Sequence, residues 1–171
     1  SEELRKNVYE TSESIKKTIR IYPQTGFYKK EIVITEWFSS EDMLSLHNTC
    51  DCFVFPSYGE SCCRPALTAM GFGKTPIVTS NTGMTDFIDE STGWEIKSYE
   101  EISICGDAPL IGLYSGRETW RRVVIKDLMN KMREAYENKE AREKKSEEGM
   151  IRVHDHSYQK VGEIIEDVLT C

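Results

Sequence analysis

The apolar positions of this chain recur at two periods. Over residues 2–21, Leu4, Val8, Ile15 and Ile19 return at helical spacing among charges, which predicts an amphipathic helix ended by Pro23 and Gly26. Residues 30–35 (KEIVIT) are short and β-branched, which predicts a strand. Ser39 or Ser40 then caps a helix reaching about Thr49, with Glu41 and Asp42 at the positive end of its dipole and Met43, Leu44 and Leu46 buried. Residues 50–55 (CDCFVF) read as a second strand. Its last four residues are all apolar, as in a parallel strand covered on both faces.

Pro56 stops that strand. A helix is predicted over residues 65–70, with Pro65 in its first turn and Gly71 or Gly73 at its end. A third strand follows over residues 75–80, then a turn centred on Gly83, a short helix over residues 85–88 and a fourth strand over residues 92–96. Residues 98–118, broken by Gly106, Pro109, Gly112 and Gly116, read as an irregular insertion. From Trp120 onward the chain reads as helical, with Val124, Leu128, Met132 and Tyr136 on one face. The charge run KEAREKKSEEGM reads as a solvated helix. Ser157 caps a last amphipathic helix that presents Val161, Ile164, Ile165, Val168 and Leu169. Trp37 and Trp94 are expected in the core.

Strands alternating with helices imply right-handed βαβ units, hence an α/β, Rossmann-like parallel sheet with helices on both faces. Ligands of such sheets lie beyond the carboxyl ends of the strands. Ser57 to Arg64 falls there, and it holds an acid, Glu60, and two adjacent cysteines. A turn running into a helix presents unpaired N–H groups that favour a phosphate. A carboxylate beside them accepts hydrogen bonds from hydroxyls. The pair suits a sugar phosphate.

Composition narrows the class. The net charge of −7 argues against a nucleic-acid partner. No apolar run approaches the roughly 20 residues of a membrane span, and no signal peptide is visible, so a cytoplasmic location is expected. The chain lacks an initiator Met and reads as an excised portion of something longer. Six cysteines (50, 52, 62, 63, 105 and 171) have neither a disulfide-scaffold setting nor zinc spacing, and are expected as reduced thiols buried like small hydrophobes. The alternative for Cys62 and Cys63 is a reactive pair whose thiol pKa is lowered by a helix start. His154 and His156 flank Asp155 in what reads as a loop, and no metal is expected.

The run PSYGESCCRPALTAMGFGKTPIVTSNTGMTDFIDESTGWEI (residues 56–96) resembles the donor-binding half of retaining, two-Rossmann-domain (GT-B) glycosyltransferases of the sucrose-synthase and mannosyltransferase-like family, glycosyl transferases group 1. The matching positions are Pro56, Ser57, Glu60, Pro65, Ala69, Met70, Pro76, Val78, Gly83 and Gly93, and the likeness extends over about residues 30–170. It implies that Glu60 contacts the donor sugar, without the paired acids of hydrolases, and that Ser61, Cys62 and Cys63 approach the diphosphate, Cys63 standing where the family often has Gly. Thr68 stands where the family has a second Glu for the ribose hydroxyls, a departure that weakens or rearranges that contact. Tyr58, Gly59 and Arg64 complete the expected substrate-binding turn; Arg64 reaches either a phosphate or solvent. Asn81, Thr82 and Gly83 either line the sugar site or form a plain turn.

The resemblance further implies a UDP- or GDP-linked sugar as donor, no cofactor, an acceptor glycan or other hydroxyl compound, and a missing N-terminal domain of the same enzyme. The first βα unit of the donor domain, with its phosphate-gripping basic residues, is also expected to be missing, so the piece alone should be inactive. Residues 1–156 are expected to form the partial donor domain, and residues 157–171 a helix packed toward the missing domain. Two rivals stay open: a non-catalytic nucleotide-sugar-binding module of the same fold, and a flavodoxin-like or response-regulator-like signalling domain.

Overall fold

The computed structural model describes residues 2–18, 32–80, 82–102 and 118–170. Two compact units divide the chain, Ser1–Met43 and Leu44–Cys171.

The first unit holds α1 (Glu2–Thr18), with acidic residues in its first turn, lysines in its last and no buried residue. Leu4 and Ile15 are half exposed, so the apolar stripe is only partly covered. Residues 32–35 form no strand, against expectation; Lys30 and Glu31 lie outside the described residues. β-branched residues need a ladder partner and a covered face to make a strand, and here Ile32 is 86% exposed. Trp37, expected in the core, is fully exposed. α2 (Ser40–Thr49) begins where Ser39 and Asp42 cap each other: the Asp42 N–H donates to Ser39 Oγ at 3.1 Å and the Ser39 N–H to Asp42 Oδ2 at 3.2 Å. Met43 and Leu44 are exposed, and only Leu46 of the expected trio is partly covered.

The second unit is α/β, a Rossmann-like parallel sheet flanked by helices. β1 (Cys52–Phe55), β2 (Thr75–Thr79) and β3 (Trp94–Ile96) form it in that order, with Val54 opposite Ile77 and Val78 opposite Glu95. All five residues of β2 are buried. Its successive residues Ile77 and Val78 fall into two different apolar clusters, so both faces are covered. One cluster joins Val78 to Cys63, Ala66, Met70, Met84, Phe87 and Ile88; the other joins Ile77 to Trp94, Ile96, Val123 and Ala135. β1, expected to be covered on both faces, leaves Val54 36% exposed.

α3 (Arg64–Gly71) packs on β1 and β2. It ends because Gly73 takes φ +67°, letting the Lys74 N–H turn back to the Ala69 carbonyl at 2.9 Å. The predicted helix at residues 85–88 is instead one 3₁₀ turn, Gly83–Asp86.

The region read as an irregular insertion starts with a strand, β4 (Ser98–Ile102), and the helix expected from Trp120 is preceded by another, β5 (Thr119–Val123). They pair antiparallel; residues 103–117 lie outside the described residues. The physical cause is cross-strand: Arg121 bonds Glu100 at 2.9 Å, Arg122 bonds Glu101 at 2.7 Å, and Val123 enters the core.

α4 (Ile125–Glu137) buries Ala135 and partly covers Leu128, while Val124, Met132 and Tyr136 stay exposed. A four-residue step overshoots the helix turn by about 40° each time, so that row drifts off the covered face. α5 (Lys139–His154), expected from its charge run to be solvated, packs on α3 and β2. Its buried Gly149 meets Met70, Ser146 Oγ donates to the Gly73 carbonyl at 2.6 Å, and the Lys145 ammonium lies 5.2 Å from the Trp94 ring. Small residues bring the helix close, and its long cations reach around to backbone oxygens. α6 (Tyr158–Thr170) opens with the Lys160 N–H on Ser157 Oγ at 3.3 Å and buries no residue. No helix among the described residues is long and apolar enough to cross a membrane.

Asp89 ties the loop before β3 to α5: its carboxylate accepts from the Ser91 hydroxyl at 2.5 Å and from Arg152 at 3.0 Å. The Ser91 bond, helped by Arg152 and opposed by partial burial, lowers its pKa from 3.8 to about 2. A depressed folded-state pKa gives stability that is present above the unfolded value and lost as pH falls through the folded one. Stability should therefore fall between pH 3.8 and about 2, and Asp89→Asn should flatten that fall in urea titrations at each pH. Met70 is fully buried, so Met70→Ala should cost about 3 kcal/mol by the same measurement.

Candidate functional site

The site is built at the carboxyl ends of β1 and β2. After β1 the chain turns through Ser57, whose Oγ accepts the Gly59 N–H at 3.2 Å and donates to the Gly59 carbonyl at 2.8 Å. Thr79, at the end of β2, donates its hydroxyl to the Ser57 carbonyl at 2.7 Å. The Gly83 N–H donates to the Glu60 carbonyl at 2.9 Å. A Cβ at Gly83 would lie 1.8 Å from the Ser61 carbonyl oxygen, so only glycine permits this approach. The expected residues Glu60, Ser61, Thr82 and Gly83 are thus brought together, with the loops after β1 and β2 in direct contact. Asn81 lies outside the described residues.

At the start of α3 the Glu60 carboxylate accepts the Cys63 N–H at 3.2 Å through Oε2. Pro65 has no N–H, and the Ala66 N–H bonds the Cys63 carbonyl at 2.9 Å. Among the described residues, the N–H groups of Ser61, Cys62 and Arg64 and the Oε1 atom of Glu60 carry no hydrogen bond. The acid therefore occupies part of the helix start and leaves three backbone donors beside it.

Cys63 adopts φ 46°, ψ 65°, the left-handed region where a side chain is strained. Its side chain is 4% exposed and packed among Ala66, Met70 and Val78, which holds the backbone there. This is the position at which the resemblance expects glycine. Burial raises the Cys63 thiol pKa, with Glu60 and Cys62 adding to the effect, which removes the lowered-pKa reading for this thiol. The four cysteines among the described residues are free, but Cys50 and Cys62 are exposed and Cys52 is half-buried, so only Cys63 fits the expected buried role. Cys105 and Cys171 lie outside the described residues.

Thr68 donates its hydroxyl to the Arg64 carbonyl at 3.1 Å, one turn back in its own helix. Arg64 is exposed and lies 3.5 Å from the Tyr158 hydroxyl. The His156 ring is edge-on to Phe87, with centroids 5.6 Å apart. Among the described residues no three His, Cys, Asp or Glu side chains gather as a metal would require.

Two residues at the turn were missed by sequence reasoning. The Arg121 N–H of β5 donates to the Tyr58 carbonyl at 2.8 Å, and Trp120 meets the Tyr58 ring edge-on at 5.8 Å. The signal was there: Thr119, Trp120 and Val123 favour a strand, and the pair Glu100–Glu101 is complementary to Arg121–Arg122.

The family model for glycosyl transferases group 1 matches residues 10–104, more than half of the chain. The chain belongs to that family. Curated relatives include serotype-specific mannosyltransferase WbdA proteins of Escherichia coli, two of them 29% identical over 83 residues, which is 48% of this chain and 10% of theirs. The chain therefore spans about a tenth of the length of the curated relatives it matches. The span matched to glycosyl transferases group 1 includes the Glu60 turn and β4 but stops before β5.

Gly83→Ala should separate the two loops of this domain and cost about 3 kcal/mol, measured by urea unfolding. A loss within about 0.5 kcal/mol would mean that the close approach is not holding them.

Proposed function

We propose that this chain is the donor-binding portion of a retaining glycosyltransferase, taking a UDP- or GDP-linked sugar and passing it to an acceptor hydroxyl. The observation that carries the reading is the Glu60 turn: one carboxylate oxygen and three backbone N–H groups without partners among the described residues, at the carboxyl end of a parallel sheet. The N–H groups of Ser61, Cys62 and Arg64 would hold the diphosphate, and the start of α3 adds its positive end. Glu60 would accept hydrogen bonds from sugar hydroxyls through Oε1 and position the sugar while Oε2 stays on Cys63. As the glycosidic bond breaks, charge builds on the departing diphosphate, and those donors would stabilise it. Tyr58, Gly59, Thr82 and Gly83 would shape the wall of the site. Turnover would need an acceptor-binding domain, against which the exposed apolar residues of α6 would pack. The mannosyltransferase relatives make nucleoside-diphosphate mannose, with either base, the first donor to try.

A second reading, a nucleotide-sugar-binding module without catalysis, is favoured by Thr68. Its hydroxyl is already spent on the Arg64 carbonyl, and it lacks the acceptor capacity of a carboxylate. Ribose would be held weakly in either reading.

Calorimetric titration with UDP- and GDP-sugars tests the proposal. Glu60→Gln keeps the shape but removes a charge-assisted contact, and it should weaken the nucleotide sugar by about tenfold while changing the free nucleoside diphosphate little. Equal weakening of both would remove the sugar-binding role of Glu60. Thr68→Glu should tighten both by about tenfold through the ribose. In the longer enzyme, transfer that is unchanged by Glu60→Gln would sink the catalytic reading and leave the module.

A further inference from the structure

Arg64 stands where a helix dipole disfavours a cation. It is the first residue of α3, at the positive end, where acids are favoured. α1 and α2 follow that rule with acids in their first turns, whereas the first turn of α3 holds none. The nearest acid in sequence, Glu60, spends Oε2 on the Cys63 N–H and makes no ion pair with Arg64. Arg121, Arg122 and Arg152 each meet a carboxylate within 3.0 Å. Arg64 meets none among the described residues. Its guanidinium donates instead to the Tyr158 hydroxyl at 3.5 Å, from a residue 94 positions further on. A phenol is neutral, so it fixes the direction of the guanidinium without cancelling its charge. The Arg64 backbone N–H is also one of the three donors at the Glu60 turn, so the guanidinium is tethered within one side chain of them.

We infer that the Arg64 guanidinium grips the diphosphate of the donor and that Tyr158 is its positioning residue. The inference rests on reading the turn as the donor site. A diphosphate bound there cancels the charge that the dipole disfavours, so ligand, helix start and side chain stabilise one another. A guanidinium can meet two phosphate oxygens at once through parallel N–H bonds, and such charge-assisted bonds are about twice as strong as neutral ones. Tyr158 holds the guanidinium by one nitrogen and leaves its other N–H groups for the phosphate. The rotamer freedom that Arg64 would lose on binding is thereby reduced in advance. Tyr158 is 90% exposed and belongs to neither apolar cluster, so its contact with Arg64 is not a by-product of packing. It also opens α6, the helix on which the acceptor-binding domain would pack. One hydrogen bond thus joins that helix to the diphosphate grip.

Calorimetric titration of the chain with UDP and GDP tests this, in the parent and in Arg64→Gln, Arg64→Lys, Tyr158→Phe and the Arg64→Gln, Tyr158→Phe double variant. Arg64→Gln should weaken the nucleoside diphosphate by about tenfold and, unlike Glu60→Gln, the sugar nucleotide equally. Its affinity should also fall less steeply with added salt. Arg64→Lys should recover part of the loss, because an ammonium keeps the charge and loses the bidentate geometry. Tyr158→Phe should weaken binding by about threefold in the parent and not at all beside Arg64→Gln, as a residue acting through Arg64 must. Both positions are exposed, so urea midpoints should stay in place; a shared fall in them would make the contact structural and overturn the inference. Unchanged affinity in Arg64→Gln would overturn it too, and would leave the donor reading to the backbone donors alone. A Tyr158→Phe loss of equal size in both backgrounds would put Tyr158 on the nucleotide itself and remove its positioning role. A parent chain that binds neither nucleotide removes the donor reading, and the grip with it.

Discussion

The close approach of Gly83 to the Ser61 carbonyl is the constraint on which the site depends. It lets the loop after β2 touch the loop after β1, and the Gly83 N–H then holds the Glu60 carbonyl at 2.9 Å. With that carbonyl fixed and Cys63 anchored in the core, the residues between them have little freedom. The Glu60 carboxylate is left close enough to cap the start of α3. A side chain at position 83 would push the loops apart and release all of this together.

The two apolar clusters explain why such a turn can stay ordered while some of its backbone N–H groups carry no hydrogen bond among the described residues. Both faces of β2 are covered, and Met70, Phe87 and Met84 are buried beneath the turn. The hydrophobic burial beneath holds the strand ends in place. The turn itself then need not be self-satisfied, and unpaired donors at a rigid, partly exposed edge are what an anionic ligand requires. Left-handed Cys63 is the local cost, offset by the burial of its side chain.

The hairpin shows how a segment outside the sheet can become part of a site. Its charges pair with each other across the strands, which fixes their register and removes their net field. Its edge amide at Arg121 then docks on the Tyr58 carbonyl, and its aromatic face is added to a turn that belongs to glycosyl transferases group 1. The strand ends carry the polar groups of the turn, and the hairpin sets Trp120 against Tyr58.

Much of this was determined by local sequence. The apolar run of β1, the proline in the first turn of α3, the buried strand at residues 75–79 and the Ser157 cap all act over a few residues, so their physics is written in the residues themselves. Glu60 was legible as a site candidate for the same reason: a lone acid after a buried strand and before a helix. Tertiary structure decided what distant residues do to one another. Residues 32–35 have strand propensity but no ladder partner among the described residues, whereas Trp120 to Val123 became a strand with Glu100 and Glu101 across from them. The charged α5 was buried in part because small residues on one side allowed close packing, and Cys63 took a glycine's backbone because the core holds its side chain. Propensity is a weak local preference, and a cross-strand partner or a buried contact outweighs it.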